Sequence, residues 1–179
     1  MTKEEPMVQE NLTAYIGTYT RTEGHVDGKA EGIYRVSIDT VSGEILEKKI
    51  VAKVINPSFV KLSQDQIHIY AVSELARENE PTGFLYNYKI TPDSLQLIDH
   101  LPSDHKAPCH IGLDQSGQYI FVTNYVGGIL KVYKRNEDGS LTDVQTIQLE
   151  GLSVHPQQTS PLLHSTKASP DNQYIAVAD

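Results

Sequence analysis

The amino-acid sequence predicts an all-β fold: a partial β-propeller of about three four-stranded antiparallel blades. Three observations carry this reading. Short apolar strands with alternating side chains recur along the chain at intervals of about 50 residues, the spacing of propeller blades. Gly, Asn, Asp and Ser stand between them where hairpins reverse. No stretch sustains the 3.6-residue apolar period of a helix.

The clearest unit runs from Ala107 to Tyr133, APCHIGLDQSGQYIFVTNYVGGILKVY. HIGLD reads as a strand, and Gln115-Ser116-Gly117 as a turn in which Gly117 takes positive φ without steric cost. QYIFVTN follows as an apolar, β-branched and aromatic strand. Gly127-Gly128 makes the next reversal, into ILKVYK. HIYAVSE begins at His68 and YIFVTNY at Tyr119, a shift of 51 residues that also carries Asn56-Pro57 onto Ala107-Pro108. YIAVAD begins at Tyr174, a further shift of 55, and Tyr19 at the end of TAYIGTY matches Tyr125.

With strands labelled A to D from the axis outward, the blades follow in order. A tail over 1–12 precedes the propeller, which covers 13–179. Blade 1 (13–53) supplies AYIGTYT as B, GIYRVSID as C and EILEKKIVAK as D, without an A strand. Blade 2 (57–101) is SFVKLS, IHIYAVSE, GFLYNYKI and LQLIDHL; blade 3 (108–150) is HIGLD, QYIFVTN, GILKVYK and LTDVQTIQL. Blade 4 (162–179) has only LHSTKA as A and QYIAVAD as B. The A and B strands are the most apolar, as strands covered on both faces should be, whereas C and D carry charges outward. Such an arc leaves two apolar blade faces wet, at about 25 cal/mol per Å². The chain is therefore expected to be a fragment, its open faces covered by the remaining blades or by a second copy.

Composition narrows the function. A net charge of −8 argues against nucleic acid and anionic membrane as partners. The N-terminal MTKEEPMVQENLT lacks an apolar secretion core, and no apolar run is long enough to span a bilayer, so a soluble cytoplasmic protein is expected. The single cysteine, Cys109, cannot form an internal disulfide. The histidines follow no metal-ligand spacing, and no phosphate-binding loop or nucleophile elbow occurs, so neither metal nor cofactor is expected. His25, His68, His100, His105 and His155 read as surface or loop residues, and Lys134-Arg135 as solvated edge charges.

The ordered series YIGTYT, GIYRVSIDTVSGEI, NPSFVKLSQDQIHIYAVSE, PCHIGLDQSGQYIFVTNYVGG and PLLHSTKASPDNQYIAVAD resembles the lactonase family of seven-bladed β-propellers. That family includes bacterial 6-phosphogluconolactonase and fungal carboxymuconate cyclase. The resemblance covers residues 14–179 and corresponds to the family's N-terminal half. It implies a central channel with an active site at one mouth. The family's segment RQ-x-x-PHxH is matched here at Gln158, Pro161 and His164, with Gln157 in place of its arginine and Leu162 in place of its first histidine.

Blade topology says which residues meet at a mouth. A strands start, and antiparallel B strands end, at the same rim. This groups Thr18, Tyr19, Ser58, Glu74, Cys109, His110, Asn124, Tyr125, His164 and Asp179. Opening a sugar lactone needs a base for water and donors for the developing oxyanion. His164 and His110 are the candidate bases, oriented by Glu74 or Asp179, and Tyr19, Asn124, Tyr125 and Gln158 the candidate ligand contacts. Cys109 reads as a buried filler. The resemblance implies a small-molecule sugar lactone as substrate, 6-phosphogluconolactone in particular. The alternatives are a muconate-type lactone cycloisomerase and a non-catalytic propeller scaffold that binds a partner at the rim. In isolation this piece is expected to be inactive, since half the mouth is missing.

Overall fold

The computed structural model describes residues 11–151, 153–156 and 158–179. Thirteen strands form four antiparallel sheets. The first is β1 (Asn11–Ile16), β2 (Ile33–Asp39) and β3 (Ile45–Ala52), and the second β4 (Val60–Leu62), β5 (His68–Ser73), β6 (Phe84–Ile90) and β7 (Leu95–Pro102). The third is β8 (Pro108–Leu113), β9 (Tyr119–Asn124), β10 (Ile129–Arg135) and β11 (Leu141–Gln148), and β12 (Ser165–Ala168) pairs with β13 (Ile175–Ala178) in the fourth. Each sheet follows chain order, the meander of a propeller blade. The first strand begins at Asn11, inside the stretch read as a tail; the rest of that stretch, 1–10, lies outside the described residues. No helix among the described residues is long and apolar enough to cross a membrane.

Alternation along β5 shows why the blades stack. Tyr70 and Val72 face one side and pack with Leu85, Ile111, Ile120, Val122, Tyr133 and Leu141, which joins blade 2 to blade 3. Ile69 and Ala71 face the other and pack with Ile33, Val51, Tyr88 and Leu95, which joins blade 2 to blade 1. A strand buried on both faces cannot alternate in polarity, which explains the near-continuous apolar run HIYAVS. The outer strands β7 and β11 are instead exposed or partly exposed along most of their length. A register break recurs between the last two strands of each of the three larger sheets, at Ser37/Ile38, Asn87/Tyr88 and Val132/Tyr133. Such bulges add twist to the outer edge of each blade.

Blade 4 meets blade 3 closely. A Cβ on Gly112 would lie 2.0 Å from Thr166 Oγ1, so only glycine allows this approach. Arg135 is not a solvated edge charge. It pairs with Asp65 of blade 2 at 2.7 Å and lies 3.4 Å from His68 Nδ1, so it ties blade 3 to blade 2. His68 is correspondingly a half-buried strand residue, not a loop one.

The loops that lead into β4 and β8 are held in left-handed backbone. Asn56 (φ 45°) does this in blade 2, and the repeat puts Ala107 (φ 54°) in the same place in blade 3. Asn56 is fully buried, and its amide side chain bonds Thr20 N, Glu23 and Glu74 O. Ala107 has no such compensation, and left-handed backbone costs an L-residue about 1–2 kcal/mol. Glycine would remove that strain at some cost in unfolded-state entropy. Ala107→Gly is therefore expected to stabilise the fold by about 0.5–1 kcal/mol, read from the urea midpoint.

Two histidines make stability depend on pH. Burial pushes His68 below the ordinary imidazole range, aided by the charge of Arg135. Burial does the same to His110, aided by Lys61 and His164. The fold thus favours both neutral rings. That contribution is complete above the unfolded value of about 6.5 and is lost as pH falls through it toward the folded value. Tm is expected to drop between pH 7.5 and 5.5, and His68→Gln with His110→Gln to flatten that slope.

Candidate active site

A cavity of about 570 Å³ opens at one rim, and its walls are built from two iterated positions of the repeat. At the B-strand ends these are Tyr19, Glu74 and Tyr125; at the A-strand starts they are Ser58, Cys109 and His164. The remaining wall is loop: His25, Ala76, Ala107 and Val126. Backbone bonds fix the two positions against each other. Glu74 N donates to Asn56 O at 2.9 Å, and Tyr125 N to Ala107 O at 2.8 Å, one repeat later. His164 N donates to Ala178 O at 2.9 Å.

Glu74 is the carboxylate of the cavity. Its Oε2 accepts from Tyr19 Oη at 2.9 Å and from Ser58 Oγ at 2.5 Å, so its partners are two hydroxyls rather than the histidine it was expected to orient. Burial, then the hydrogen bond to Glu74, pushes the Tyr19 phenol far up, so Tyr19 remains a donor. The other face of Tyr19 meets the His25 ring edge-on at 5.4 Å.

The opposite wall is less polar. The His164 ring stands edge-on to Tyr125 at 5.9 Å and is exposed at the rim. Among the described residues no hydrogen bond occupies either of its ring nitrogens. Cys109 lies between the walls with Sγ 3.4 Å from Leu163 O. Burial raises its thiol pKa, which disfavours the thiolate a nucleophile needs.

Of the expected residues, Tyr19, Glu74, Tyr125 and His164 are brought together, whereas His110, Asn124 and Gln158 are not. Cys109 is the extra residue of a bulge: Pro108 pairs with Asn124 and His110 with Thr123. His110 thereby packs on Phe59 at 4.5 Å between ring centroids and accepts from Thr166 N at 3.2 Å. It lines a separate 440 Å³ hollow along β4, β8 and β12. Asn124 is fully buried and donates to Ser103 O and Ile129 O, so its amide holds the turn that follows β9. Gln158 donates to Asp179 at 2.9 Å, and the same carboxylate oxygen accepts from Leu162 N at 2.6 Å. Asp179 therefore organises the 158–162 segment and does not orient a histidine. Gln157 lies outside the described residues. Thr18, also grouped at the rim, turns its hydroxyl to Gly32 O.

His25 is the residue that sequence reasoning missed. It sits in the loop between β1 and β2 (17–32), which is longer than the matching loops of the next two blades (74–83 and 125–128), so the repeat could not place it. Arg21 and Arg77, the cations nearest in sequence to Tyr19 and Glu74, are engaged by Glu23 and, for Arg21, also by Glu80.

Comparison with known proteins gives a consistent pattern. A family model described as Lactonase, 7-bladed beta-propeller, matches residues 13–179. The chain is 30% identical over 168 residues to the protein of Bacillus subtilis (strain 168) named 6-phosphogluconolactonase, covering 92% of this chain and 45% of that one. A protein of the same name from Formosa agariphila is 28% identical over 170 residues, with 92% and 46% covered. Among solved structures, the periplasmic gluconolactonase of Pseudomonas aeruginosa superposes with a TM-score of 0.82 at 31% identity, over 94% of this chain and 47% of that one. A protein from Lactobacillus plantarum gives 0.81 at 26% identity, with 95% and 46% covered. The chain thus spans about half the length of the relatives it matches.

Proposed function

The chain belongs to the lactonase family of seven-bladed β-propellers, and on that footing we propose that the protein it belongs to is a lactone hydrolase acting on a sugar lactone. One observation carries the reading: His164, whose ring nitrogens hold no hydrogen bond among the described residues, and the positioned carboxylate of Glu74 line one cavity together with Tyr19 and Tyr125. His164 takes the proton from an attacking water, which adds to the lactone carbonyl. Tyr125, whose ring lies against His164, offers its hydroxyl as donor to the oxyanion that forms. Collapse of the tetrahedral adduct expels the ring oxygen, which recovers the proton from His164, and the open hydroxy acid leaves. The relatives named 6-phosphogluconolactonase and gluconolactonase support both phosphorylated and plain sugar lactones as substrates.

The test is hydrolysis of freshly dissolved 6-phosphogluconolactone and glucono-δ-lactone by the whole protein. Turnover of at least one above the spontaneous rate is expected. Rates equal to the uncatalysed ones for both lactones would remove the proposal.

A further inference from the structure

We propose that Glu74 is a direct ligand contact, and that Tyr19 and Ser58 are positioning residues that aim it. The ligand edge that meets it carries hydroxyl groups and no anion. Both internal donors converge on Oε2. Among the described residues Oε1 has no hydrogen-bond partner, and the side chain lines the cavity. A carboxylate pinned through one oxygen has lost its rotamer freedom but keeps acceptor capacity on the other. Acceptor-only chemistry there selects O–H donors and repels phosphate or carboxylate. The ligand's polyol edge therefore lies on the side of blades 1 and 2. Any anionic group it carries lies away from Glu74.

The pinning comes from two different blades. Tyr19 follows the B strand of blade 1, while Ser58 and Glu74 belong to blade 2. Tyr19 is itself steadied by His25 against its ring edge. Losing the Tyr19 hydroxyl frees Glu74 to rotate without removing the acceptor. The two side chains thus differ in what their loss does: removal of the Glu74 charge removes the contact, and removal of the Tyr19 hydroxyl blurs its aim.

This inference rests on the lactone reading for the ligand class, so its test reads binding as well as turnover. The probe is D-gluconolactam, a polyol lactam that resists hydrolysis, titrated calorimetrically into the whole protein. The achiral δ-valerolactam, which lacks the hydroxyls, is the control. Glu74→Gln, which keeps the shape, is expected to weaken gluconolactam binding about tenfold and to leave δ-valerolactam unchanged. Tyr19→Phe should weaken it about threefold and raise KM for the lactone while kcat holds. Equal gluconolactam affinity in wild type and Glu74→Gln would overturn the proposal, as would failure of the wild type to bind it. Binding that depends on Glu74, in a protein that leaves lactones at their spontaneous rate, would support this inference and sink the hydrolase reading.

Discussion

His164→Ala is expected to lower kcat/KM for lactone hydrolysis about 10²- to 10⁴-fold in the whole protein, the range a positioned acid–base group contributes. Three features of the structure lead there. The ring stands at the rim of the cavity beside Tyr125, and its backbone is anchored by the bond from His164 N to Ala178 O. No hydrogen bond among the described residues ties up its nitrogens, so the imidazole can meet a water without breaking an internal contact. Glu74, the carboxylate of the cavity, already accepts two hydroxyls on one oxygen. The loss should fall on kcat, because the wall that meets the substrate's hydroxyls is left intact. His110→Ala is the internal comparison. Its ring packs on Phe59 and accepts from Thr166 N, so its removal should lower Tm and leave kcat within about threefold. A kcat for His164→Ala within threefold of wild type would exclude this residue as the base.

Tyr133→Ala is expected to destabilise the fold by about 3–5 kcal/mol, the largest effect foreseen for a core position. Tyr133 is 0% exposed and packs in the cluster that joins blades 2 and 3. Its hydroxyl donates to Pro102 O at 2.6 Å, so blade 3 is also bonded to the end of blade 2. Truncation would open a cavity the size of a ring between two rigid sheets and leave the Pro102 carbonyl without that donor. Tyr133→Phe separates the two costs. It keeps the ring and is expected to lose about 1–2 kcal/mol. Urea denaturation should show both as lower midpoints with unchanged slope. Equal midpoints for Tyr133→Ala and Tyr133→Phe would mean that ring packing contributes little to the joint.

Much of the cavity was legible because it is made of repeated positions. Once HIYAVSE was laid on YIFVTNY, the ends of B and the starts of A fell into register. That alone groups Tyr19, Glu74, Tyr125, Ser58, Cys109 and His164. What failed were features that a repeat shift cannot encode. The bulge at Cys109 offsets pairing by one residue and sends His110 to another surface. Asn124 shares the rim by position, but its amide is taken up by backbone carbonyls from two segments, a contact with no local signature. His25 was invisible because its loop, 17–32, is longer than the matching loops of the next two blades, so no shift carries another residue onto it. Arg135 looked like an edge charge because an outer strand normally carries one, and only the tertiary pairing with Asp65 reveals otherwise.

The cavity wall has a practical corollary for protein engineering. Main-chain bonds set residues 58, 74, 125 and 164 on or beside their own blade, whereas the side chains of residues 19, 58 and 74 also hold one another. Positions 19, 58 and 74 would be varied as one coupled set and 109, 125 and 164 as another, without redesigning the hydrophobic joints that lie deeper in the stack. A library confined to these six codons would sample new ligand preferences while leaving the scaffold's cohesion almost untouched.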